Sequence, residues 1–218
     1  MTIIIGNQKG GAGKSTLTLL LANYLTLVKN CKVTVVDMDH QQSIMQKFDK
    51  AKILENAEPY EITSSSLELF PGLQKLLLRN PDELVLIDLP GKLDDEGLFA
   101  VFEAAHLVIC PFSYDEFSFE STVFFALMFR KINKSAPLIL VPNRLKANVK
   151  FETMRDVNEQ LRRFGKLTPA IPDRIDFQRV TTFQTPLILH TIITPVFEQI
   201  YADHLYGKHE ITGRPDQG

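Results

Sequence analysis

Residues 2–28 read TIIIGNQKGGAGKSTLTLLLANYLTLV. A short β-branched run, typical of a buried strand, passes into a glycine-rich loop at residues 6–13 and then into an apolar run long enough for a helix. Such a loop can turn its backbone N–H groups inward, and the helix that follows adds its positive end, so that together they hold phosphate. The start of the sequence therefore predicts a strand, a phosphate-binding loop and a helix.

The side chains of this loop suit a nucleoside triphosphate. Lys14 is placed to neutralise the β- and γ-phosphates, the hydroxyl of Ser15 can coordinate Mg²⁺, and Thr16 can serve the α-phosphate. The usual phosphate-binding pattern is a glycine, any four residues and then Gly-Lys-Ser or Gly-Lys-Thr. It would require glycine at position 8, where this chain has Gln8 followed by a second lysine, Lys9. The predicted nucleotide-binding residues of the loop are Lys9, Gly10, Gly11, Ala12, Gly13, Lys14, Ser15 and Thr16.

Short β-branched runs alternate with helical patterns along the whole chain, which is typical of βαβ units. Strands are predicted at 2–6, 32–37, 60–63, 84–89, 107–111, 137–142 and 167–171, and helices at 15–28, 41–48, 72–79, 94–105, 117–133, 150–164 and 194–205. The predicted fold is α/β: a doubly wound, mostly parallel sheet with helices on both faces. A single domain is expected over residues 1–206, followed by a flexible tail at 207–218.

Three aspartates stand at the ends of predicted strands. Asp37 and Asp39 close the second strand, and Asp88 follows the apolar run 84–87. Open α/β sheets bind ligands at the carboxyl ends of their strands, where these acids can hold Mg²⁺ or orient a water molecule. Two plainer interpretations stay open: Asp37 and Asp39 can cap a helix, and a buried strand can end in aspartate with no further role.

The loop at residues 9–16, KGGAGKST, resembles the deviant Walker A box of the ParA/MinD family of ATPases, and its lead-in Asn7-Gln8 is similar to the ParA branch. The resemblance extends over nearly the whole chain. It implies a P-loop ATPase that uses ATP and Mg²⁺ and forms a homodimer when ATP is bound. It also implies that Lys9 reaches across the dimer interface to the nucleotide of the partner subunit, and that Lys9 and Lys14 are catalytic.

Further site residues follow from the same resemblance. Asp39 corresponds to the residue that positions the attacking water, although His40 replaces the proline usual in the family. Asp88 is similar to the Walker B aspartate, which holds Mg²⁺ through a water molecule. Two short segments, Asn143-Arg144 and Pro172-Asp173, resemble the loops that line the adenine.

Charge is unevenly distributed along the chain. The 24 Lys and Arg against 26 Asp and Glu exclude a uniformly basic protein, but between positions 144 and 179 nine basic residues face five acidic ones. This segment can hold a DNA backbone without reading sequence, or it can simply be a solvated helix face. The candidate DNA contacts are Lys146, Lys150, Arg162, Arg163, Lys166 and Arg179.

Membrane attachment is not expected. The last predicted helix, 194–205, has two acids and no lysine or arginine, and no apolar run reaches the roughly 20 residues of a membrane span. The two cysteines are far apart in sequence and do not suggest a disulfide framework. A cytoplasmic location is predicted, associated with the nucleoid if the protein binds DNA.

The resemblance implies slow ATP hydrolysis that a ParB-like adaptor stimulates, in the partition or positioning of DNA from a plasmid, chromosome or conjugative element. Two other functions remain open. One is a small-molecule ligase or kinase of the dethiobiotin synthetase type, which also uses a glycine-rich loop and Mg-ATP. The other is a nucleotide-gated scaffold with negligible hydrolysis.

Overall fold

The computed structural model describes residues 1–39, 41–52, 58–77, 79–80, 82–92 and 96–207. Within this part of the chain, seven parallel strands form a single sheet in the order β3-β2-β4-β1-β5-β6-β7. The strands are β1 (Thr2–Ile5), β2 (Val33–Asp37), β3 (Glu61–Ser64), β4 (Leu84–Asp88), β5 (Leu107–Phe112), β6 (Leu138–Pro142) and β7 (Lys166–Leu167). The predicted parallel α/β sheet is confirmed.

Helices connect the strands. They are α1 (Lys14–Leu27), α2 (Ser43–Lys52), α3 (Phe70–Leu77), α4 (Leu98–Glu103), α5 (Glu116–Ile132), α6 (Phe151–Leu161) and α7 (Leu187–Ile200). A 3-10 helix occupies Ile175–Arg179, and a π-helical turn, Tyr201–Leu205, continues α7. No helix in the described ranges is both long and apolar enough to cross a bilayer.

The sheet is covered on both faces, so its central strands are apolar at consecutive positions. In β1, Ile3 and Ile5 belong to one apolar cluster and Ile4 to another. The first cluster is built mainly with α1 and α7, and the second with α4 and α5, where Phe102 makes edge-on contacts with Phe125 and Phe129. This is the doubly wound arrangement expected from the sequence.

The strand register places the predicted site residues at the carboxyl edge of the sheet. β1 lies between β4 and β5, and Ile5 pairs with Asp88. Asp37 pairs with Asp88 on the other side of β4. Because the loop after β1 begins one residue beyond Ile5, the glycine-rich loop and both aspartates share this edge, where open α/β sheets bind ligands.

The last helix and the last strand are among the predicted elements whose limits differ in the structure. Helix α7 begins at Leu187, seven residues before the predicted start, and contains Pro195. Proline is more common in the first turn of a helix than in its interior, but this helix tolerates Pro195 in its interior. The last strand is Lys166–Leu167 rather than 167–171. Apart from Gly207, the predicted flexible tail lies outside the described residues.

Candidate nucleotide-binding site

The glycine-rich loop joins β1 to α1 and leaves the start of the helix open. Gly11 (φ 77°) and Gly13 (φ 89°) have left-handed backbone conformations that favour glycine. Gly13 is the N-cap of α1, and a Cβ atom there would lie 2.4 Å from Nδ2 of Asn143. The loop thus needs glycine both for its turn and for close packing, and the first turn of α1 carries no acidic residue to occupy its positive end.

Lys14 is buried and folds back over the loop. Its Nζ lies 3.5 Å from the carbonyl oxygen of Lys9. On the other side, the Nζ would be 3.6 Å from a Cβ placed on Gly91. The ammonium group is therefore held between the glycine-rich loop and the loop after β4, the position required to neutralise phosphate lying in the loop.

Ser15 and Asp88 are in direct contact beneath the loop. Ser15 Oγ donates a hydrogen bond to Asp88 Oδ2 at 2.5 Å, and Thr18 Oγ1 lies 3.5 Å from Asp88 Oδ1. Burial raises the pKa of Asp88 to about 7, with the hydrogen bond from Ser15 opposing the shift and the charge of Asp37 adding to it. A hydroxyl and a buried carboxylate that would gain from a nearby cation form a donor set that fits Mg²⁺.

Asp37 and Asp39 have different roles in the structure. Asp37 Oδ2 accepts hydrogen bonds from the backbone N–H groups of Ile44 (3.0 Å) and Met45 (3.1 Å), so Asp37 caps the first turn of α2. Asp39 instead lines the cavity above the loop, and its Oδ1 accepts from the N–H of Gln41 at 3.0 Å. Of the two acids, Asp39 is the one beside the ligand space; His40 lies outside the described residues.

Two adjoining cavities follow the loop and α1. The first, of about 460 Å³, lies over the glycine-rich loop and is lined by Gly10, Gly11, Gly13, Lys14, Ser15, Thr16, Asp39 and Gln41, among others; we call it the P-loop cavity. The second, of about 430 Å³, runs over the first turns of α1 and is called the α1 cavity. Gly13 and Thr16 line both. Together they provide an elongated space of the size that a nucleotide requires.

The residues predicted to line adenine are close to the α1 cavity. Asn143, Arg144 and Asp173 line it, whereas Pro172 forms a backbone bridge with Leu145 and is not among its lining residues. Asn143 Nδ2 donates to the carbonyl oxygen of Ala12 at 2.9 Å, and Arg144 Nη1 donates to that of Gly11 at 2.8 Å. Both side chains therefore support the glycine-rich loop as well as the cavity.

Sequence patterns gave no sign of two further lining residues, Lys47 of α2 and Phe177 of the 3-10 helix. They reach the cavity through the tertiary packing of elements far apart in sequence. The partner of Lys9 was not predicted either. Its ammonium group forms an ion pair with Asp115, the N-cap residue of α5.

The candidate DNA contacts are exposed but do not form one cluster. Lys146 and Lys150 precede α6, while Arg162, Arg163 and Lys166 follow it. The two groups are separated by the length of the helix, roughly 16 Å for its 11 residues. Lys166 also forms an ion pair with Asp203 at 2.5 Å, and Arg179 ends the 3-10 helix.

Fold and site together define the class of P-loop nucleotide-binding proteins: a glycine-rich loop between β1 and α1, a lysine folded over it, and a Ser–Asp pair beneath it. A family model places the chain within that class. The CobQ/CobB/MinD/ParA nucleotide binding domain matches residues 3–187, and the chain belongs to this family.

Solved structures with the same fold include proteins of partition and cell division. A Borrelia burgdorferi protein assigned to plasmid partition, bound to AMPPNP, has 24% identity and a TM-score of 0.69 over 93% of this chain and 98% of that chain. Aquifex aeolicus MinD has 16% identity and a TM-score of 0.70, covering 92% and 97%. The pNOB8 ParA bound to nonspecific DNA has 16% identity and a TM-score of 0.64, covering 94% and 97%. No curated protein sequence shows a significant match.

Proposed function

We propose that this protein is a Mg²⁺-dependent ATPase that acts as a dimerising switch in the partition or positioning of DNA. The observation that carries the proposal is the arrangement around the P-loop cavity. Lys14 lies folded over the loop, Ser15 and Asp88 are hydrogen-bonded beneath it, and Asp39 lines the same space. Each is the residue type that phosphoryl transfer needs at that place.

The residues divide the chemistry among them. The backbone of the glycine-rich loop and Lys14 bind the phosphates and offset their charge, and Ser15 with Asp88 would hold Mg²⁺. When bound, the ion supplies further neutralisation of charge on the phosphate oxygens. Asp39, in the loop after β2, orients the attacking water. Its open position beside the cavity supports that role, because the neighbouring Asp37 already has a structural one.

Lys9 makes the switch depend on a second subunit. In this proposal, its ammonium reaches the nucleotide bound to the partner, so that ATP stabilises the dimer. The support is the sequence signature and the position of Lys9, which is partly exposed and directly precedes the exposed Gly10. Hydrolysis is slow on its own, and an adaptor protein of the ParB type stimulates it.

DNA is the proposed cargo, and non-specific DNA is also the proposed binding partner of the dimer. The basic residues at the two ends of α6 are exposed, and phosphate contacts of this kind bind without reading sequence. The fold shared with the pNOB8 ParA bound to nonspecific DNA supports the same assignment. Adenine is the proposed base because Asn143 and Asp173 line the α1 cavity, where an amide can serve the base edge.

The test is the oligomeric state as a function of nucleotide. Light scattering on a sizing column is performed with ADP, ATP or AMPPNP, with Mg²⁺, with and without duplex DNA. We expect monomers with ADP, dimers with AMPPNP, and DNA binding only by the dimer; Lys14→Ala remains monomeric in every condition. A dimer that forms equally without nucleotide overturns the switch, and stimulated turnover of a small acceptor instead of DNA-linked hydrolysis identifies a ligase or kinase.

A further inference from the structure

Lys47 lies where the two cavities meet. It projects from α2, is half-buried, and lines both the P-loop cavity and the α1 cavity. Gly13 of the glycine-rich loop and Thr16 of α1 line both cavities as well. A nucleotide with its phosphates in the first cavity and its base in the second must pass this junction, with the loop on one side and Lys47 on another.

The position of Lys47 is fixed at both ends. The first turn of α2 is anchored to the sheet, because Asp37 accepts hydrogen bonds from the N–H groups of Ile44 and Met45. At the tip of the side chain, Lys47 Nζ donates to the carbonyl oxygen of Val180 at 2.7 Å. Val180 follows the 3-10 helix and packs in the same apolar cluster as Leu17 of α1. The side chain therefore extends from α2 toward the segment that packs over α1.

The ammonium group has capacity for another acceptor. It carries three donors, and the bond to Val180 uses one of them. Burial lowers the pKa of Lys47, which means that the surroundings leave its positive charge short of solvation. Among the described residues, each cavity has one aspartate in its lining, Asp39 in the P-loop cavity and Asp173 in the α1 cavity. The other charged residue among them that lines both cavities, as Lys47 does, is Arg144, which is also positive. An anion at the junction would compensate the cost of burying Lys47.

We infer that Lys47 is a nucleotide-contacting residue that donates to the α-phosphate from the side opposite the glycine-rich loop. The α-phosphate is the anionic group of a nucleotide nearest the ribose, and Thr16, the residue suited to it, lines the same junction. This assignment rests on the proposed ATP-binding function and adds a contact from α2, outside the glycine-rich loop. It also means that bound nucleotide is linked to α2, which follows the Asp39 loop directly.

Affinities for ATP, ADP and adenosine test the assignment in three variants. Lys47→Gln removes the charge but keeps a polar side chain, Lys47→Arg keeps the charge, and Lys50→Gln removes an exposed lysine one turn further along α2. We expect Lys47→Gln to weaken ATP and ADP by the same factor, about tenfold for one charged hydrogen bond. Adenosine binding stays unchanged, Lys47→Arg recovers most of the affinity, and Lys50→Gln behaves as the unmodified protein.

The possible outcomes separate this inference from the proposed function. If the unmodified protein binds neither ATP nor ADP, the proposed function is overturned together with the inference. If it binds both and Lys47→Gln binds them equally well, only the inference fails. An equal loss of ATP, ADP and adenosine affinity also overturns it, because Lys47 then only shapes the cavity. Thermal melting without nucleotide shows whether each variant is folded, and Lys47→Met, which removes the charge but keeps a side chain of similar length, provides the decision if Lys47→Gln is not folded.

Discussion

Lys9 is paired with Asp115 within its own subunit. Asp115 is itself fixed at the start of α5: Oδ1 accepts from the N–H of Ser118 at 3.0 Å, and Oδ2 accepts from Ser113 Oγ at 2.6 Å. Burial works to raise the pKa of Asp115, but the hydrogen bonds from Lys9, Ser113 and Ser118 outweigh it and lower the pKa. Lys9 must therefore leave a preformed carboxylate site before it can contact a second subunit.

Removing the charge of Asp115 should favour the dimer. Asp115→Asn keeps a side-chain oxygen to cap α5 while it weakens the hold on Lys9. Because exposed ion pairs contribute about 1 kcal/mol at most, we expect AMPPNP-dependent dimerisation to tighten by roughly two- to fivefold. Sedimentation at several protein concentrations measures the change. Glu116→Gln, which neutralises the neighbouring acid, is the matched control, and an unchanged dimer constant in Asp115→Asn contradicts the prediction.

The two lysines of the loop should fail in different ways. Lys14→Ala removes the charge held over the loop, and we expect ATP and ADP affinity to fall by more than about tenfold. Lys9→Ala should bind both nucleotides within about twofold of the unmodified protein, because Lys9 is partly exposed and lines neither cavity, yet stay monomeric with AMPPNP. Calorimetry and light scattering measure the two properties separately. Strong loss of ADP binding in Lys9→Ala would place Lys9 in the subunit's own nucleotide site.

The aspartates after β2 are a second pair with separable effects. Asp39→Ala should leave ATP bound and slow its hydrolysis on the order of a hundredfold or more, because the water loses its orienting carboxylate. Single-turnover release of phosphate gives the rate, and the AMPPNP-like dimer should then form with ATP itself. Hydrolysis at the normal rate in Asp39→Ala would exclude the water-positioning role.

Asp37→Ala should act on stability instead. The substitution leaves the N–H groups of Ile44 and Met45 without their acceptor at the start of α2. Loss of a helix cap costs about 1–2 kcal/mol in free energy of unfolding. Urea unfolding of Asp37→Ala and Asp39→Ala side by side provides the comparison, with the second variant close to the unmodified protein. Equal stabilities for all three would mean that the cap contributes little.

The sequence was sufficient for the features that are local. The glycine-rich loop, the order of strand and helix, and Asp88 at the end of an apolar run are each encoded by neighbouring residues, and the parallel sheet follows from their repetition. Asp37 shows the limit, because two acids two residues apart look alike until the position of α2 is known. Asp115 and Lys47 lie further beyond that limit, since their partners are more than 100 residues away.

DNA binding should depend on the two ends of α6 through charge alone. Arg162 and Arg163 are exposed at the carboxyl end of the helix, and a double alanine substitution should weaken binding of the AMPPNP-bound protein to all duplexes alike. The slope of log K against log salt is negative, and each lost phosphate contact makes it less steep by about 0.9, which a titration in increasing salt measures. Arg155→Ala is the control, because Arg155 lies on α6 and pairs with Asp156. An unchanged slope would assign these arginines to the solvated face of α6, whereas a loss that depends on sequence would mean that they contact base edges.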